Sequence, residues 1–239
     1  MFARHNPRHN EGELRLGGGG QNRTTDVIAR AFACTADLGT HVADQALRRS
    51  YPHRAAILRS GDRAQSVYLV IDGCAQALAY SLDGRLVLVA DYRSGDLFGE
   101  GSLLGDVPVE EDVVAAEPVD AAIFRALAFV GLMETHSSIA LSVSRVLTQR
   151  LSQANRRLVE GATLSSNGRV YAELLRQARL QGGAAIRPVP VLSEFALRVQ
   201  VARETVSRAI SVLEKRGIVT RDAQALTIVA PHRLEELVR

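Results

Sequence analysis

The stretch Ala202-Arg203-Glu204-Thr205-Val206-Ser207-Arg208-Ala209-Ile210-Ser211-Val212-Leu213-Glu214-Lys215-Arg216-Gly217-Ile218-Val219 decides how this chain is read. At helical spacing Val206, Ile210 and Leu213 share one face, and Arg203, Glu204, Ser207 and Arg208 share another. Gly217 stops the helix. The apolar face can dock on a core while the other carries two guanidiniums, a carboxylate and a hydroxyl. Those groups suit base edges in a DNA major groove, where Arg pairs with guanine through two bonds and Glu accepts from the cytosine amino group.

Downstream, Ile218-Val219-Thr220 and Leu226-Thr227-Ile228-Val229 read as a β-hairpin, and His232 to Arg239 closes the chain. Upstream, a short turn at Gln200-Val201 leads back to a helix over Glu194 to Val199, with Ser193 as its N-cap. Pro188 and Pro190 mark a turn or short edge strand, and Gly182-Gly183 stops a helix over Arg169 to Gln181. Helix–turn–helix plus hairpin is a winged helix–turn–helix. Gln200 stands where such turns commonly use Gly for its positive φ.

A long helix is expected from Ser138 to Leu158. Val143, Leu147, Leu151, Ala154 and Leu158 step by four and three, as in a coiled-coil seam. Arg145, Arg150, Arg156 and Arg157 lie mostly off it. The seam is read as a dimer interface; the alternative is a helix packing on its own barrel. Gly161 and Ser165-Ser166-Asn167-Gly168 are read as the hinge to the last domain.

Before that helix the period is shorter. Ala56 to Leu58, Val67 to Ile71, Ala75 to Tyr80, Leu86 to Ala90, Leu97-Phe98, Val113 to Ala116 and Ala121 to Phe124 are β-type runs between Gly-Asp and Asp-Gly turns. Arg-Ser-Gly-Asp occurs twice, at 59–62 and 93–96, as one kind of turn used twice. Such spacing suggests a sandwich, jelly roll or barrel. Asp26 to Arg49 has a helical pattern through Val27, Ala31, Leu38, Val42 and Leu47. Residues 1–23, ending in four glycines and Gln-Asn-Arg, read as a disordered tail. Gly17 to Gly20 follow no strand and precede no Gly-Lys-Ser/Thr, so they are not read as a phosphate loop.

The 239 residues are 46% hydrophobic and 23% charged, an ordinary globular composition with room for more than one domain. Two cysteines, Cys34 and Cys74, are too few for a disulfide framework or a four-cysteine iron–sulfur site. With no long apolar run and a polar, charged start, neither a signal peptide nor a membrane span is expected, and a cytoplasmic protein fits. Charge is uneven. Residues 24–164 carry 13 basic and 17 acidic side chains, whereas residues 165–239 carry 12 basic and seven acidic ones. The basic end coincides with the arginine-bearing helix, as phosphate neutralisation requires.

On these residues the chain resembles the cyclic-AMP receptor protein family, the CRP/FNR regulators, from about Val42 to Pro231. The strongest match is Arg203 to Arg208 continuing into Leu213 to Val219. The sensor half matches through Gly61-Asp62, Val67 to Gly73 and Gly95-Asp96-Leu97-Phe98-Gly99-Glu100. The resemblance implies an α+β chain: an N-terminal cyclic-nucleotide-binding-type β jelly roll, a long dimerisation helix and a C-terminal winged helix–turn–helix. The corresponding divisions are a tail at 1–23, a sensor domain at 24–136, helix and hinge at 137–164, and a DNA-binding domain at 165–239. Members of the CRP type read DNA with residues matching Arg203, Glu204 and Arg208. The FNR type uses Glu204, Ser207 and Arg208. The implied palindrome has TGTGA-like or TTGA-like half-sites.

Family sensors for cyclic AMP use the residues matching Gly99 and Glu100 at the ribose, and an Arg ten residues beyond that Glu, with a Ser or Thr neighbour, at the phosphate. Here Glu110, Glu111 and Asp112 stand at and after that position. The dimer helix carries Ala154 and Asn155 where cyclic-AMP receptors have Thr-Ser. An anionic phosphodiester against buried carboxylates loses a charge-assisted bond and gains repulsion. Constitutive binding would follow if the pocket side chains satisfy themselves, for instance with Arg125 or another basic residue neutralising Glu110. The expectation is a regulator that does not need cyclic AMP, either constitutive or answering another ligand. The alternatives are a nucleotide-responsive regulator with a non-standard pocket and a sensor or scaffold that does not bind DNA. Haem-type sensing needs an axial His or Cys; His41, His53, His136 and Cys74 are isolated in sequence, so neither cofactor nor metal is expected. With no nucleophile elbow, HExxH or Ser-His-Asp set, an enzyme is not expected. The partners implied are double-stranded DNA, a second copy of the chain and RNA polymerase, with no membrane and an open place for a small molecule.

Overall fold

The computed structural model describes residues 19–63, 65–81, 84–105 and 108–238; the expected tail up to residue 18 lies outside them. Residues up to Leu78 together with Ala90–Val146 form one compact unit, and Ala79–Val89 with the residues from Leu147 form the other.

Helices α1 (Gly19–Ala31) and α2 (Ala36–Asp44) come first along the described residues. The tail was expected to reach residue 23, yet α1 starts at Gly19. Eight strands follow: β1 (Leu47–Tyr51), β2 (Ala56–Leu58), β3 (Ser66–Asp72), β4 (Cys74–Tyr80), β5 (Leu86–Arg93), β6 (Leu97–Phe98), β7 (Asp112–Ala115) and β8 (Val119–Arg125). They form two four-stranded sheets, ordered β1-β8-β3-β6 and β2-β7-β4-β5. These are the sheets of a jelly roll. Helices α3 (Ala126–Thr135) and α4 (Ser137–Thr163) close the run.

Alternation along β3 explains the packing. Val67, Leu69 and Ile71 are buried with Val27 and Ile28 from α1, Phe32 just beyond it, Phe129 and Leu132 from α3, and Ile139 and Val143 from α4. The two Arg-Ser-Gly-Asp segments form matching turns. Asp62 N donates to Arg59 O at 3.1 Å and Asp96 N to Arg93 O at 2.8 Å. Gly61 and Gly95 supply φ values of 87° and 92°. The helical pattern expected up to Arg49 is corrected: Leu47 opens an antiparallel strand, paired Leu47 to Ile123 and Tyr51 to Val119. Its first four residues are exposed, so no buried alternation marks the strand in sequence.

The second unit holds α5 (Ser166–Leu180), α6 (Leu192–Val199), α7 (Arg203–Lys215) and α8 (Pro231–Glu236). A three-stranded sheet is ordered β10 (Val219–Arg221), β11 (Leu226–Ile228) and β9 (Ala185–Ile186). Val170, Leu174, Phe195, Val206, Ile210, Leu213 and Leu226 are in its core. Ser193 is not the cap expected of it: α6 starts at Leu192 from Val191, without a side-chain cap. Gly161 is no break either, because α4 runs through it to Thr163. Ser165 caps α5 by accepting from Gly168 N at 3.0 Å. Among the described residues no single helix is long and apolar enough to cross a membrane.

Candidate nucleic-acid interface and sensor pocket

In α7 the apolar positions Val206, Ala209, Ile210 and Leu213 are buried, which turns the other face outward. Arg203, Glu204, Ser207 and Arg208 are all exposed in its first two turns. The structure brings these four together on one surface at the positive end of the helix dipole. Arg208 Nε donates back to Glu204 O at 3.3 Å.

The angle between α6 and α7 depends on one residue. Gln200 adopts φ 55° and ψ 49°, the left-handed conformation. Val201 N then donates to Ala196 O at 3.1 Å, a six-to-one bond that ends α6. Beyond α7, Arg221 on β10 pairs with Glu214 of α7, Nε to Oε1 at 3.2 Å. The loop between β10 and β11 is folded by Asp222, whose Oδ1 accepts from Gln224 N at 2.7 Å and Ala225 N at 2.8 Å. Those two backbone donors hold the Asp222 carboxyl below its ordinary pKa.

In the first unit Gly99 has φ 77° and ψ 15° and opens a 3₁₀ turn over Glu100–Leu104. A Cβ on Gly99 would stand 2.8 Å from Ser66 O and 3.1 Å from Tyr68 Cδ2, so only glycine fits. Ser102 Oγ donates to Gly99 O at 2.8 Å. The acidic run lies against the first Arg-Ser-Gly-Asp turn: Ser60 N donates to Asp112 Oδ1 and Ser60 Oγ to Glu110 O, both at 2.9 Å. Glu110 is exposed, and Glu111 and Asp112 are partly exposed. This corrects the expectation of buried carboxylates; the repulsion they exert on an anion is partly screened by water. Arg125 lies opposite Ser66 in the sheet that lacks β7.

Aromatic rings make up a part of this unit that sequence reading did not single out. Phe98 stacks between Tyr68 and Tyr92, with centroids 4.9 and 5.0 Å away. Arg49 stands over the Tyr51 ring at 5.3 Å. Burial pushes the Tyr51 phenol up to about 12 and also raises that of Tyr68, against the pull of Arg49. The four aromatic residues lie on four different strands, so no local spacing announces them.

Along α4, Leu147, Leu151 and Leu158 are 43%, 63% and 75% exposed, and Ala154 and Asn155 are exposed beside them. Val143 is the exception in the expected seam: at 2% exposure it belongs to the core of the first unit, one turn before the open stretch. His53 Nδ1 lies 2.8 Å from Ala116 O, and Cys74 is buried. Among the described residues no group of three or more His, Cys, Asp or Glu side chains is placed to hold a metal ion.

Comparison with known proteins follows the same division. Residues 48–136 match the profile of the Cyclic nucleotide-binding domain, and residues 168–237 that of the Crp-like helix-turn-helix domain. The chain is 30% identical over 191 residues to the Cyclic AMP receptor protein of Thermus thermophilus, covering 80% of this chain and 87% of that one. It is 26% identical over 194 residues to the CRP-like cAMP-activated global transcriptional regulator of Mycobacterium tuberculosis, with 79% and 87% covered. Among solved structures, the c-di-GMP responsive global regulator CLP of Xanthomonas campestris superposes with a TM-score of 0.70 at 22% identity, over 81% of this chain and 99% of that one. At that identity the likeness speaks for the fold.

Proposed function

Since the chain belongs to the CRP/FNR family of DNA-binding transcriptional regulators, we propose that it acts in the cytoplasm as a homodimer reading a palindrome with TGTGA-like or TTGA-like half-sites. Arg203, Glu204 and Arg208 would contact base edges, with Ser207 beside them. The carrying observation is the division of α7 into a buried apolar face and an outward face bearing those four residues. The exposed leucines of α4 support the dimer, since each leucine covered contributes roughly 1.5–3 kcal/mol. RNA polymerase is the expected protein partner. The divisions 24–136, 137–164 and 165–239 serve as sensor, dimer helix with hinge, and DNA-binding domain in this reading.

The sensor, in the same proposal, does not take cyclic AMP in the family's manner. Glu110 stands where the phosphate's cation is needed, and Ser60 already occupies Asp112 Oδ1 and Glu110 O. Gly99, Glu100, Glu110, Glu111, Asp112, Ala154 and Asn155 mark the altered pocket. Titration calorimetry and operator binding with and without cyclic AMP test this. No heat and unchanged affinity are expected; micromolar binding refutes it. The second reading, a cyclic-AMP-responsive regulator with a non-standard pocket, is favoured by the 30% identical relative being a Cyclic AMP receptor protein. Under that reading cyclic AMP tightens operator binding.

A further inference from the structure

Inside the second unit a buried carboxylate ties three helices together. The Glu173 side chain on α5 is 4% exposed. Arg176 Nη1 donates to its Oε2, Gln177 Nε2 donates to its Oε1 at 3.0 Å, and Arg198 Nε of α6 stands 3.5 Å from Oε1. The same Arg176 turns its other nitrogen, Nη2, to both oxygens of Glu160 on α4 at 2.7 Å. One rigid guanidinium therefore bridges the last turns of α4 to the carboxylate that faces Arg198 of α6. Around Glu160 those turns have little apolar packing: Leu158, Val159, Gly161, Ala162 and Thr163 are all exposed.

Burial of such a pair is poor value as stability, because desolvation offsets most of the attraction. A planar fork bonded to two carboxylates does fix direction. We propose that Glu160, Arg176, Glu173 and Arg198 form a latch that sets the pose of the helix–turn–helix on the end of α4, with Glu160 and Arg176 as positioning residues for DNA binding. This rests on the two-fold reading above, in which α4 joins the copies and each α7 must meet its own half-site. The lever is long enough to matter. Helix α5 has 15 residues, about 22 Å, so a swing of about 10° moves its far end about 4 Å. That exceeds one base-pair rise of about 3.4 Å.

The test compares Glu160→Gln and Arg176→Lys with the parent, as full chains, on a labelled duplex bearing the palindrome and one bearing a single half-site. Glutamine keeps the size of Glu160 and leaves the buried Glu173 in place. Lysine keeps the charge of Arg176 without the fork. Each variant is expected to lose about fivefold or more in affinity for the palindrome, the scale of a partly exposed ion pair. Affinity for the single half-site stays within about twofold, and the melting temperature within about 2 °C, where a merely structural pair would move all three. Unchanged palindrome binding, or an equal fall on both duplexes together with lower melting, overturns the latch. If the parent itself binds a lone half-site as tightly as the palindrome, the two-fold reading fails and the latch falls with it.

Discussion

Replacing Gln200 by glycine should make this protein more stable. The residue closes α6 at φ 55° and ψ 49°. An L side chain in that region sets its Cβ against the following carbonyl, at a cost of roughly 1–2 kcal/mol that glycine escapes. Against this, Gln200→Gly enlarges the freedom of the unfolded chain, which takes back roughly 0.4–1 kcal/mol. The net gain lies between about 0 and 1.6 kcal/mol, with a centre of about 0.8 kcal/mol. Gln200 is exposed, so little packing is lost with its side chain. Urea unfolding of the full chain, followed by far-ultraviolet circular dichroism, should show a higher midpoint with an unchanged slope. Gln200→Ala should stay close to the parent, because alanine keeps the Cβ, and Gln200→Val should lose stability, because a β-branched residue tolerates this conformation least. Operator affinity should not change, since the turn geometry is the same. A midpoint that falls with glycine, or glycine and valine variants with equal midpoints, would refute the strain argument.

Arg203→Ala and Arg208→Ala should each weaken operator binding by about 1–3 kcal/mol and relax specificity at one base pair, measured by competition with single-site variants; uniform weakening on every sequence would mark them as phosphate contacts. Leu151→Glu places a charge in the exposed stripe of α4 and should give monomers by sedimentation with loss of palindrome binding, so a persisting dimer removes the stripe as the interface. Tyr51 and Tyr68 are held neutral by burial. Their raised pKa contributes stability that is complete below the usual phenol value of 10.0 and is lost as pH rises toward about 12 for Tyr51. Alkaline titration read by tyrosinate absorbance should therefore show these two ionising together with loss of the sensor fold, and a titration in which all five tyrosines ionise near 10 before unfolding contradicts it.

Helix α7 was legible because its evidence is local: Val206, Ile210 and Leu213 recur at the helical period, and whatever packs beneath them, the residues between must face outward. The β3 run and the paired Arg-Ser-Gly-Asp turns were legible for the same reason, since alternation and positive φ are properties of a few consecutive residues. Strand β1 carries no local signal of its pairing. Leu47 to Ser50 are exposed, and their pairing is with β8, more than 60 residues away. Val143 fitted the seam by spacing but packs with Val27, Phe129 and Ile139, because the helix passes from its own core to open surface between Val143 and Leu147.

The sequence by itself determined which residues of α7 face outward, which turns need a left-handed residue and where the acidic run 110–112 falls. Each of those is written in neighbours no more than about a dozen positions apart. Only the tertiary structure decided that Glu173, which reads as an ordinary polar residue of an amphipathic helix, is buried between Arg176 and Arg198 and reaches α4 through Glu160. It also decided that Tyr68, Phe98 and Tyr92 form one stack. The reason is physical: periodicity reports which side of an element is apolar, whereas the partner of a buried charge or ring is chosen by the packing of elements far apart in the chain.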